Sequence, residues 1–118
     1  MNMFDRLTET AIADTDLLLS NDKHGDILPT SRKVDFAFNT DDEQKANDFA
    51  EFIKEKSYGR TEITSLDQGG FRILVFVDMP ITQNLILCVS GFMLCLSRLF
   101  TIDYDGWGSI IQKPIEEL

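Results

Sequence analysis

The sequence predicts an α+β fold in a single domain spanning residues 1–118, and three observations carry that prediction. Two long segments repeat apolar residues at helical spacing. Several short runs alternate, or concentrate, β-branched and aromatic residues in the manner of strands. Pro29, Gly25, Gly59, Gly69 and Gly70 fall between these segments. A hydrophobic fraction of 43% with 10% aromatics is enough for a packed core at this length.

The elements follow in order. Residues 3–20 read as a helix with Phe4, Leu7, Ala11 and Leu18 near one face and Asp5, Glu9 and Asp16 opposite. Ser20 to Asp26 reads as a loop, with Gly25 supplying turn freedom, and Pro29 closes the irregular stretch. Val34, Phe36 and Phe38 alternate with Asp35 and Ala37, the period of a half-buried strand. Thr40 then stands as an N-cap with Glu43 three residues on, a capping box. Ala46, Phe49, Ala50 and Ile53 recur at i, i+3, i+4 and i+7, which predicts a helix over 41–56. Its acids Asp41, Asp42 and Glu43 sit at the positive end of the helix dipole, and Lys54 and Lys56 at the negative end. Gly59 is its stop. Thr61–Leu66 and Phe71–Asp78 read as strands around an Asp67-Gln68-Gly69-Gly70 turn, the second apolar on both faces and therefore central. Pro80 suits the first turn of an apolar helix over Ile81–Phe100, and Thr101 to Ile111 reads as a last strand before a tail from Pro114. The order is one helix and then β-α-β-β-α-β. That order predicts a ferredoxin-like βαββαβ antiparallel sheet, with right-handed crossovers, two helices on one face and an additional N-terminal helix.

Charge narrows the function. Twenty acids against eleven bases give a net charge of −9, and thirteen of the acids lie in residues 1–59. Such a surface repels the phosphates of nucleic acid and of anionic membranes, which predicts neither as a partner. It attracts a basic protein surface, although the same charge also keeps a small domain soluble. Cys88 and Cys95 fall in one apolar helix about 10 Å apart along its axis, too far to pair with each other. They are expected as buried free thiols in a reducing compartment, and the N-terminus lacks a signal-peptide pattern, so the expected location is cytoplasmic. Ile81–Phe100 is about as long as a membrane span, but Gln83, Asn84, Ser90, Ser97 and Arg98 interrupt it and a buried helix is the better reading.

Chemistry-bearing residues are few. His24 is the one histidine and stands in a polar loop with no cysteine beside it. Asp103 and Asp105 begin a calcium-loop spacing that fails at Trp107 and Pro114. Gly69 and Gly70 open no helix that could cradle a phosphate. The expectation is a protein that is not an enzyme and uses no metal or cofactor. Interaction features are richer. The helix over 81–100 is apolar around much of its circumference, so the part that does not cover the sheet either packs beneath the N-terminal helix or forms a surface for self-association or a partner. Trp107 between Gly106 and Gly108 marks a bulge, its indole either a core anchor or an exposed hot spot.

The string Tyr104-Asp105-Gly106-Trp107-Gly108 resembles the closing motif of the ribonuclease E inhibitor family, regulator of ribonuclease E activity B. Val34-Asp35-Phe36-Ala37-Phe38, the acids Asp41-Asp42-Glu43 and the helix with Phe49-Ala50 are similar to that family's first strand and acid-capped helix. Phe36 stands where related sequences often carry histidine. The resemblance covers roughly residues 10–112 and implies a protein that inhibits an RNA-degrading endonuclease by contact, without cutting RNA. It implies ribonuclease E, or another basic protein, as the partner, with a homo-oligomer also compatible. Asp41, Asp42, Glu43, Tyr104, Asp105 and Trp107 are the expected contact residues. An immunity protein that neutralises a basic toxin is the alternative of similar size and charge.

Overall fold

The structure is a computed structural model that describes residues 2–113; the tail expected from Pro114 lies outside them. Its elements are α1 (Met3–Lys23), β1 (Arg32–Thr40), α2 (Glu43–Glu55), β2 (Arg60–Ser65), β3 (Phe71–Met79), α3 (Gln83–Phe100) and β4 (Asp103–Ser109). The four strands form one sheet in the order β2-β3-β1-β4 with every pairing antiparallel. This is the ferredoxin-like arrangement preceded by an additional helix.

Strand alternation builds the core. Val34, Phe36 and Phe38 of β1 are fully buried on the helix side of the sheet, where they meet Ala46, Phe49 and Ile53 of α2 and Ile86, Met93 and Leu94 of α3. Phe38 centres an aromatic group, 4.5 Å from Phe49 and 5.1 Å from Tyr104 between ring centroids. Each such phenylalanine contributes about 1.5–3 kcal/mol by leaving water. β3 is central, as its two apolar faces require, while β2 at the edge is largely exposed. Gly59 is fixed by close approach: a Cβ there would sit 2.6 Å from the Phe76 carbonyl oxygen.

Several local expectations are corrected. Asp42, not Thr40, caps α2: its Oδ1 accepts from the Gln44 and Lys45 amides at 2.9 and 3.3 Å, and the Thr40 hydroxyl accepts from the Asp42 amide one step earlier. α1 runs on through Lys23, because Asn21 turns inward to donate to Asp26 Oδ2 at 3.1 Å. Pro80 lies outside α3, whose N-cap is Thr82. Phe4 does not join the inward face of α1 and is 76% exposed, because the inward stripe runs through Leu7, Asp14, Leu18 and Asn21.

The cysteines are also corrected. α3 turns Ile86, Ser90, Met93 and Ser97 toward the sheet, which leaves Cys88 and Cys95 exposed on the opposite side. By length and composition α3 is apolar enough to cross a membrane. In the fold it packs on α1, α2, β1 and β4, with its outward side uncovered.

Candidate functional site

The motif Tyr104–Gly108 is built around a one-residue bulge. Phe36 pairs with Trp107, Ala37 with Gly106 and Phe38 with Tyr104, so Asp105 is the extra residue of β4. Three positions apart, Tyr104 and Trp107 would face opposite sides of a regular strand. The inserted residue restores the phase, and both rings point inward beside Phe36 and Phe38, 9% and 7% exposed. Gly106 makes this feasible with φ +99°, a left-handed conformation that a side chain resists. Trp107 is therefore a core anchor, and neither ring is presented to a partner.

Beneath the motif lies a buried polar cluster that joins α1, α3 and β4. The Tyr104 hydroxyl and Ser90 Oγ share a 2.8 Å hydrogen bond. Asp14, only 4% exposed, adjoins them from α1. Burial raises the Asp14 pKa, while Ser90 and the Trp107 indole act to lower it by favouring the carboxylate. Even so, Asp14 Oδ2 and Trp107 Nε1 make no hydrogen bond of good geometry. Burial also pushes the Tyr104 phenol far up, a shift that Ser90 opposes and the Asp14 charge reinforces. Above this cluster a cleft of ≈ 240 Å³ opens between α1 and β4, lined by Arg6, Glu9, Asp14, Tyr104 and Gly106 among others.

A second buried group clamps the other end of the sheet. Arg32 Nη1 donates to both oxygens of Asp26 at 2.7 Å, and its Nη2 donates to the Ile27 carbonyl. Asp26 accepts further hydrogen bonds from Asn21 and from the Gln112 amide. Every ionic group here is partnered, the condition under which a buried pair is tolerated. Neither cluster was among the expected sites. The signal available for Asp14 was its place in the Leu7, Ala11, Asp14, Leu18 stripe, where a helix turning inward would bury a carboxylate.

The expected acids do come together. Asn39 pairs with Asp103 and Thr40 with Phe71, so the end of β1, the start of β4 and the start of α2 share one end of the sheet. Asp41, Asp42, Glu43, Asp103 and Asp105 are all exposed there. The β2–β3 turn abuts them, since a Cβ on Gly70 would lie 3.1 Å from Asp41 Oδ1. Two cations stand nearby: Arg72, which donates to Asn39 and Asp105 at 3.2 and 3.3 Å, and Lys45, 3.5 Å from the Thr101 carbonyl. The acids thus exceed the bases. The bulge aims Asp105 outward while it turns Tyr104 and Trp107 inward, so one motif both anchors the core and shapes this rim.

No curated protein matches the chain. A family model described as regulator of ribonuclease activity B matches residues 11–109, from the third turn of α1 to the last residue of β4. That span holds the bulged motif, the buried Asp14 cluster and the acidic rim, and the chain belongs to the family of regulators of ribonuclease activity B.

Proposed function

We propose that this chain binds a basic region of a ribonuclease of the ribonuclease E type through the acidic end of its sheet, and lowers RNA cleavage by contact without cutting RNA itself. The observation that carries this reading is the convergence of Asp41, Asp42, Glu43, Asp103 and Asp105 on one exposed rim. Carboxylates clustered on a rigid rim raise the encounter rate with a basic segment and fix its orientation. Glu43, Asp103 and Asp105 stand on regular elements, and Asp41 and Asp42 on the two-residue link that caps α2, so little ordering entropy is lost on docking. Membership of a regulator family supports this over an immunity protein. We place the activity in the cytoplasm, where two exposed free thiols suit a reducing compartment.

The test is a binding and cleavage assay with ribonuclease E and the variant Asp41→Lys/Glu43→Lys, neither of which caps a helix or fills the core. Wild-type protein is expected to bind and slow cleavage, with affinity falling as salt rises. The double variant is expected to bind at least about tenfold more weakly, the scale of 1.4 kcal/mol. Equal binding by both proteins would remove the rim from the interface.

A further inference from the structure

We infer that α3 carries a second interface, on which a second copy of this chain docks with its own α3 running antiparallel. The outward side of α3 presents Leu85, Cys88, Phe92, Cys95 and Leu99, all exposed. Their spacing is three, four, three, four, the a/d pattern of a helix-on-helix seam. It is separate from the stripe Ile86, Ser90, Met93 and Ser97 that faces the sheet, so α3 has two packing faces and the fold uses one. Tyr58 stacks edge-on against Phe92 at 5.3 Å and extends the apolar surface toward α2.

Charge selects the occupant. Each copy carries −9, so two copies approach only through a face that spares them like-charge repulsion. From Met79 to Phe100 the chain has a single charged residue, Arg98. A basic segment would gain no electrostatic attraction on this face, whereas a second copy meets a surface whose one charge on α3 is Arg98. The order of residue types points the same way. Leu, Cys, Phe, Cys, Leu reads alike in both directions, and an isologous two-fold contact needs a surface that matches itself. Leu85 and Leu99 each lie about 10.5 Å from Phe92 along the helix, and Cys88 and Cys95 lie about 6 and 4.5 Å from it. A two-fold axis at Phe92 therefore sets Leu85 against Leu99 of the other copy, and Cys88 against its Cys95.

Sedimentation equilibrium under reducing conditions over a wide concentration range tests this directly. The expected mass is twice the 13.4 kDa of the chain. Leu99→Glu is expected to return it to the single-chain mass with an unchanged far-ultraviolet circular dichroism spectrum, since Leu99 is 76% exposed. Phe92→Glu serves as the second variant. Oxidation with diamide, which takes up the two thiol hydrogens, reads the orientation. Wild-type protein and an equimolar mixture of Cys88→Ser and Cys95→Ser should form disulfide-linked dimers. Each single variant alone should not, because like cysteines stand about 12 and 9 Å apart along the axis, beyond the ~7 Å reach of a disulfide. A single-chain mass throughout, a dimer that survives both glutamate substitutions, or equal cross-linking of each single variant would overturn the proposal. So would flotation of monomers with phosphatidylcholine vesicles, which would assign the stripe to a lipid surface.

Discussion

At the scale of single residues, the motif that identifies the chain works mostly from inside. Trp107→Ala removes a ring that is 7% exposed and leaves a void among Phe36, Tyr104 and α1, so urea unfolding should show a loss of about 3–5 kcal/mol. A loss of ribonuclease binding in that variant would follow from unfolding and not from a missing contact. Asp14 gives a signed pH dependence. Burial raises its pKa from 3.8, so the folded state holds the proton more tightly than the unfolded chain. Its contribution to stability is fully present below 3.8 and is lost as pH rises through the folded value. Asp14→Asn keeps polar contacts to Ser90 and cannot ionise, so its stability relative to wild type should improve from acid to neutral pH. Paired thermal melts across that range check it, and a difference independent of pH would contradict it.

Elements differ in how plainly their residues announce them. α2 was legible because one apolar stripe is used and the opposite side is solvated, leaving a single period to read. β1 was legible for the same reason, through Val34, Phe36 and Phe38. α1 misled because its inward stripe spends positions on Asp14 and Asn21, whose partners Ser90 and Asp26 lie far off in sequence or beyond a turn. Periodicity of apolar residues cannot register a carboxylate that is buried because of a distant hydroxyl. α3 misled in the other direction, since its two apolar faces together look like one continuously hydrophobic helix. The rim was half legible: charge marked Asp41, Asp42 and Glu43, but only the β1–β4 register brings Asp103 beside them. The cap of α2 separates structure from charge within that rim. Asp42→Ala should cost about 1 kcal/mol of stability in urea, while Asp42→Asn should retain the cap and remove only the charge. If the asparagine variant is as unstable as the alanine one, the cap assignment is wrong.

For the whole molecule, the two polar clusters divide the work. One sets α1 on the α3–β4 edge, and the other holds the loop after α1, the start of β1 and the residues after β4 in one ionic knot. The acidic rim stands at the end of β1 opposite the knot at Arg32, so surface charge can change there without disturbing the knot. The knot has a bearing on where the folding unit ends. The family match stops at residue 109, but Asp26 takes a hydrogen bond from the Gln112 amide, Arg32 donates weakly to the Ile110 carbonyl, and the Ile27 amide donates to the Gln112 carbonyl. A version cut after Ser109 would keep every strand and helix and still strip one hydrogen bond from a buried carboxylate. Such a version is expected to melt at lower temperature than one ending at Lys113, by a margin worth about 1–3 kcal/mol. The practical boundary of the domain is therefore drawn by a salt link near its beginning, three residues past the point where recognisable sequence gives out.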